Sequence, residues 1–181
     1  KEGEAADFFI ELRFFAAIGL IGLPNAGKTS FLNMIKKYKG RVADYPFTTL
    51  EPNLGNFHGF IMADIPGLIE GASMGKGLGH KFLRHIRRTK MLAHLISLEE
   101  TAIMASYRSI RSELGKYDKA LLEKKEVIIL TKKDMVDEKT LFSQVKKIKK
   151  LNPNVFTLSL YDDRSIKEVA NGLIAILRDA K

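Results

Sequence analysis

Cysteine is absent from the 181 residues, so neither a disulfide framework nor a thiolate metal site can organise the chain, and nothing points to an oxidising compartment. The longest apolar stretch, residues 14–23, is about half the roughly 20 residues that a membrane-spanning helix needs, and it contains two glycines. Residues 1–7 are acidic and lack the basic flank of a secretory signal. A cytoplasmic location is therefore expected. No repeat of about 20–50 residues and no low-complexity tract is present. None of His58, His80, His85 and His94 has metal-ligand spacing with a carboxylate partner, which leaves them structural or surface groups. No ladder of aromatic residues suggests base stacking.

What remains is 45% hydrophobic and 28% charged, enough to bury the core of one ordinary domain. A net charge of +9 fits either an anionic partner, RNA ahead of membrane, or a lysine-rich solvated surface. Along the chain, short apolar runs of β type alternate with amphipathic stretches. Strands are expected at residues 17–22, 60–64, 91–98, 127–130 and 155–160. Helices are expected to start at Lys28 and to span 78–88, 102–123 (one helix or two), a segment carrying Leu141, Val145 and Ile148 on one face, and 166–178. Such alternation predicts an α/β fold with a mostly parallel, six-stranded sheet and helices on both faces. Ligands of such sheets sit at the carboxyl ends of the strands.

Gly22-Leu23-Pro24-Asn25-Ala26-Gly27-Lys28-Thr29, followed by Ser30, fits GxxxxGK[ST]. The loop must bend around a polyphosphate so that successive backbone N–H groups point inward, and side chains at the glycine positions would obstruct it. Lys28 adds a point charge for the β- and γ-phosphates, and the Thr29 hydroxyl is a hard oxygen ligand for Mg²⁺. The helix starting there aims its positive end at the same place. Asn25 is either a turn residue or a carbonyl ligand for a K⁺ ion bridging the phosphates. Asp64-Ile65-Pro66-Gly67 closes the second strand about 35 residues on, placing a carboxylate to hold Mg²⁺ through water and the Gly67 N–H to reach a γ-phosphate.

The base is read separately. Thr131-Lys132-Lys133-Asp134 directly follows the strand at 127–130 and fits [NT]KxD. A carboxylate at Asp134 can accept hydrogen bonds from guanine N1–H and the N2 amino group, a pair that adenine does not offer. Lys132 can lay its aliphatic stem over the base. Ser159-Leu160, at the end of the next strand, would supply a backbone N–H to guanine O6.

Four blocks, GLPNAGKTS, ADYPFTTLEPNLG, ADIPGLIEGA and GKGLGHKFLRHIRRT, closely resemble the Obg family of P-loop GTPases. The likeness runs from about residue 12 to the end. It implies GTP hydrolysis to GDP with Mg²⁺, binding to the large ribosomal subunit or its precursor, and a role in ribosome assembly and stress control. It also implies that Thr49, rather than its neighbour Thr48 in the segment beginning at Phe47, ligates Mg²⁺ when the γ-phosphate is present. Lys28, Thr49 and Gly67 become the catalytic set. Leu68 stands where many signalling GTPases carry a water-orienting glutamine, so slow turnover resting on cations is expected.

Several features depart from the family. The segment between Phe57 and Phe60 is shorter than the family's usual hairpin, residues 97–100 lack the aspartate that commonly follows the strand expected at 91–98, and Thr131 replaces an asparagine whose amide would tie this loop to the phosphate loop. Lys1 is not an initiator methionine, so residues 1–14 are expected to be a linker from an N-terminal domain and 15–181 the GTPase domain. Lys81, Arg84, His85 and Arg88 form a stripe at helical spacing that is either a solvated face or an RNA contact, and Lys146, Lys147, Lys149 and Lys150 are read as solvated. A monomer without DNA specificity is expected. The rivals are a P-loop ATPase or kinase, and a nucleotide-sensing module with negligible turnover.

Overall fold

The computed structural model describes residues 16–39, 53–64 and 87–179. Within them a six-stranded sheet is built from β1 (Ile18–Ile21), β2 (Asn53–Phe57), β3 (Phe60–Asp64), β4 (Met91–Ser97), β5 (Lys125–Thr131) and β6 (Val155–Leu158). The order is β2-β3-β1-β4-β5-β6, with every neighbouring pair parallel except β2 and β3. The described helices are α1 (Lys28–Lys39), α2 (Ile103–Tyr117), α3 (Glu138–Lys149) and α4 (Asp163–Arg178). The expected six-stranded, mostly parallel architecture is present.

Period-two alternation explains why both faces of the sheet are covered. On β5, Val127 and Ile129 point to one side, where they join Phe31, Leu32 and Ile35 of α1 and Ile166, Val169, Leu173 and Leu177 of α4. Ile128 and Leu130 point to the other side, with Ile103 of α2 and Ile148 of α3. A central strand buried on both faces reads as a continuous apolar run, as residues 127–130 do.

Three boundaries differ from expectation. The 102–123 stretch divides into α2 and a 3₁₀ turn, Lys119–Glu123, started by the Asp118 side chain accepting from the Ala120 N–H at 3.0 Å. Helix α4 begins three residues before its apolar period, because the Asp162 carboxylate caps it by accepting from the Arg164 N–H at 3.0 Å. β6 stops at Leu158, since the Ser159 N–H donates to Ser165 Oγ of α4 at 3.1 Å. The β2–β3 hairpin was not anticipated. It turns on His58 and Gly59, both at positive φ (49° and 84°), the conformation of the two-residue turns that match strand twist.

His94 is 1% exposed and is a structural group, as expected, with Glu126 as its partner. Its Nδ1 lies 3.0 Å from Glu126 Oε1, and its ring stacks on Tyr107 with centroids 5.3 Å apart. Tyr107 donates to Glu126 Oε2 at 3.2 Å, and Arg111 approaches the same oxygen at 3.5 Å. Burial works to raise the Glu126 carboxyl, but hydrogen bonding and charge from His94, with Arg111 and Tyr107, hold it below its ordinary value. The cluster clamps α2 onto β4 and β5 and is structural.

Gly172 lies mid-helix on α4, where the tip of the Phe156 ring of β6 comes up against the backbone. A Cβ there would meet Phe156 Cζ at 2.2 Å. Gly172→Val is expected to destabilise the fold by about 2 kcal/mol, because overpacking outweighs the small gain in helix propensity. Urea denaturation of the two proteins measures it, and equal midpoints would refute the packing account.

Candidate nucleotide site

The carboxyl ends of β1, β3, β4 and β5 converge on one edge of the sheet, and the predicted residues gather there. β1 ends at Ile21 and the chain turns through residues 22–27 into α1. Gly22 has φ +149°, and a Cβ at this position would lie 2.3 Å from the Leu95 carbonyl oxygen of β4. Only glycine permits that approach. Asn25 and Gly27 also take positive φ, 61° and 87°. Asparagine tolerates that conformation, which by itself accounts for a turn residue at 25.

Lys28 Nζ folds back over the loop and donates to the Gly22 and Leu23 carbonyls, both at 2.9 Å. Burial lowers its ammonium from the ordinary lysine value, and the Asp64 charge opposes that shift. Asp64 closes β3, is 5% exposed, and accepts from Thr29 Oγ1 through Oδ2 at 2.5 Å. Its other oxygen, Oδ1, is buried and has no hydrogen-bond partner among the described residues. An unpartnered carboxylate oxygen beside a threonine hydroxyl is a hard-oxygen donor set suited to Mg²⁺ and its waters. The residues present therefore fit the metal. Thr29 would ligate it directly, and Asp64 would hold it through water.

On the other side of α1's start, Thr131 ends β5, buried and close to Gly27. Its hydroxyl donates to the Ala26 carbonyl at 2.9 Å and lies 3.3 Å from that of Ile96. The missing asparagine amide thus leaves no gap, because the threonine hydroxyl itself ties this loop to the phosphate loop. Lys132 follows in the left-handed conformation, φ 58° and ψ 42°. Its ammonium pairs with Glu99. Lys133 points away and pairs with Asp162, anchoring the loop to the start of α4. That hydrogen bond from Lys133 is the main cause holding the Asp162 carboxyl below its ordinary value.

A cavity of 230 Å³ opens between these loops, walled by Gly27, Glu99, Lys132, Asp134, Leu160 and Tyr161 among others. Asp134 is exposed at its mouth. Ser159 is buried and shapes the far wall, its Oγ accepting from the Tyr161 N–H at 3.2 Å and its carbonyl from Ser165 Oγ at 3.1 Å. With the Ser159 N–H given to Ser165, the Leu160 N–H is the donor of the pair left without a partner among the described residues.

Four lining residues were not anticipated: Glu99, Met135, Leu158 and Tyr161. Tyr161, 92% exposed, flanks the cavity. Glu99 is aimed at Lys132 by Ser97, whose Oγ accepts from the Glu99 N–H at 3.3 Å. Phe47, Thr48, Thr49, Ile65, Pro66, Gly67, Leu68, Lys81, Arg84 and His85 lie outside the described residues.

A glycine-lined phosphate cradle, an oxygen donor set for a divalent ion and an aspartate at the rim of a base-sized cavity define a P-loop guanine-nucleotide-binding domain. The chain belongs to the 50S ribosome-binding GTPase family, whose pattern matches residues 17–133. The Obg resemblance is borne out by its relatives. The chain is 44% identical to GTPase Obg of Syntrophobacter fumaroxidans over 189 aligned positions, covering 99% of this chain and 54% of that protein. It is also 44% identical to GTPase Obg of Microcystis aeruginosa, over 87% of this chain and 48% of that one. The chain thus spans about half the length of the curated relatives it matches. Among solved structures, the fold is similar to a GDP-bound NFeoB of S. thermophilus (TM-score 0.60, 20% identity, 87% of this chain and 61% of that one). It is likewise similar to nucleolar GTP-binding protein 1 of Plasmodium falciparum (TM-score 0.58, 18% identity, 90% and 86%).

Proposed function

We propose that this chain binds GTP with Mg²⁺, hydrolyses it slowly to GDP, and serves as the switch domain of a cytoplasmic protein acting on the large ribosomal subunit or its precursor. The observation that carries the reading is the meeting of Thr29 with the half-satisfied Asp64 carboxylate beside Lys28, at the same sheet edge as the cavity rimmed by Asp134. The ribosomal partner is supported by membership of a ribosome-binding GTPase family and by the net charge of +9.

Inward N–H groups of residues 22–29 orient the phosphates, and Lys28 neutralises charge between the β and γ groups. Mg²⁺, when bound, would neutralise phosphate charge. Thr29 and Thr49 would hold it directly and Asp64 through water, while the Gly67 N–H would sense the γ-phosphate. Release of the Thr49 and Gly67 contacts on hydrolysis would be the switch. With Leu68 unable to orient water, Asn25 would offer an oxygen to K⁺ as a further source of positive charge at the phosphates.

Turnover near or below ~10⁻³ s⁻¹ is expected, faster in K⁺ than in Na⁺. Single-turnover hydrolysis in each salt, with and without large-subunit particles, checks this. Equal, fast rates in both salts would remove the role given to Asn25. No hydrolysis with particles present would leave the second reading, a GTP-sensing module without useful turnover, which Leu68 favours.

A further inference from the structure

A second opening, of 670 Å³, lies between the N-terminal half of α2 and the flank of α3. It shares no lining residue with the nucleotide cavity. Arg108 and Ser109 line it from α2, Gln144 and Lys147 from α3, and Thr101 stands at its head. The floor is the apolar seam where Ile103 and Met104 meet the α3 residues that cover β5. Among the described residues lining this cleft there is no carboxylate.

Neither Arg108 nor Lys147 has a hydrogen bond or ion pair with any described residue. Several other described cations, such as Lys149 and Lys167, also lack a partner among the described residues, so what distinguishes Arg108 and Lys147 is their place in a concavity; cations nearer the sheet are committed. One turn along α2, Arg111 is held by Glu126 and by the Leu122 carbonyl at 2.7 Å, while Lys132 and Lys133 have Glu99 and Asp162. The cleft therefore concentrates two uncompensated charges in a concavity whose other polar groups are hydrogen-bond donors. Such a concavity focuses positive potential. Lys146 and Lys150 continue it over the solvent face of α3, which carries one acidic residue, Glu138, at its far end.

We propose that the α2–α3 cleft is a docking surface for the phosphodiester backbone of RNA, separate from the nucleotide site. Arg108 provides the planar fork that pairs two phosphate oxygens, and Lys147 a point charge facing it across the cleft. Ser109 and Gln144 add the neutral donors that commonly position a phosphate without reading sequence. An acidic protein is the poorer fit, because none of the exposed large apolar side chains that anchor such interfaces lines this cleft. The surface would give the ribosomal association proposed above a place to act, but the two can fail separately.

Fluorescence anisotropy with a labelled 20-nucleotide uridine RNA, titrated at several KCl concentrations, tests the surface. The wild-type chain is expected to bind in a salt-dependent manner. An R108E/K147E variant should lose at least ~10-fold in affinity, and its log–log salt slope should fall by about 1.4, two phosphate contacts at roughly 0.7 each. Its GTP affinity should be unchanged, which shows that it is folded. Should charge reversal impair folding, R108Q/K147Q is expected to give the same fall in slope. Absent RNA binding by the wild type, undiminished binding by a variant with normal GTP affinity, or displacement of RNA by polyglutamate of equal charge would each overturn the proposal. Cosedimentation with large-subunit particles is read independently, so ribosomal association through another face would survive that result.

Discussion

Asp134→Asn is expected to lower GTP affinity by on the order of 10²–10⁴-fold while making xanthosine triphosphate the preferred ligand. On the proposed reading the carboxylate would accept two N–H bonds from guanine, and each hydrogen bond to a charged group is worth about 1.5–3 kcal/mol. Two of them amount to about 3–6 kcal/mol, and each 1.4 kcal/mol is tenfold in affinity. The asparagine amide turns a donor toward a guanine donor, whereas xanthine presents a carbonyl at that place. Fold stability should not change, because Asp134 is exposed and has no hydrogen bond or ion pair with any described residue. This combination, a specificity switch at constant melting temperature, separates base recognition from a structural role. Calorimetric titration of both variants with the two nucleotides decides it. A variant that still prefers GTP would dismiss Asp134 as the base reader, and a wild type that binds ATP equally well would favour the ATPase reading.

How much of this site could be read from residues alone depended on how local its chemistry is. The phosphate loop was legible because a single stretch of backbone must satisfy the phosphates, and its spacing survives in the structure from Gly22 to the start of α1. Asp64 was legible because β3 ends there, five residues of clear pattern after a turn. Thr131 was misjudged for the opposite reason. Whether a hydroxyl can replace an amide depends on how closely β5's end approaches Ala26, a separation of 105 positions that no local pattern encodes. Glu99 escaped notice because its meaning comes from Lys132, which reaches it from the next strand in a left-handed conformation. His94 behaves alike: its carboxylate lies two residues before its register partner Ile128 on β5, a relation set by strand pairing.

The same distinction explains the boundaries. Apolar periodicity located the buried face of α4 but not its first turn, which depends on the Asp162 cap rather than on burial. The strand expected to run to Leu160 is cut short by Ser165 taking the Ser159 N–H, and Leu160 then lines the cavity from the loop that follows.

Lys28→Met is expected to weaken GTP binding by on the order of 10²-fold yet leave the nucleotide-free fold equally stable or slightly more so. On the proposed reading the ammonium would make charge-assisted contacts with two phosphates, together about 3 kcal/mol, that methionine cannot replace. Without nucleotide the same charge is partly buried against two carbonyls and disfavoured there, so its removal relieves a desolvation cost. The sign follows from the lowered value. The unfolded chain, with an ordinary lysine, holds more protons than the folded one between the folded value and 10.5. Wild-type stability therefore gains from this group as pH rises through that window and lacks the contribution below it. Phosphate placed against Lys28 shifts its proton affinity back up, so the complex holds more protons than the free protein in the same range. GTP affinity should accordingly fall as pH rises through the folded value of Lys28, with proton uptake on binding, and Lys28→Met should lose this part while keeping the part that belongs to the guanine N1–H. Calorimetry at pH 8 and pH 10 in two buffers of different ionisation heat reads both quantities. Proton uptake as large in the methionine variant as in the wild type would assign all of the linkage to the base and leave Lys28 as a spectator of the phosphates.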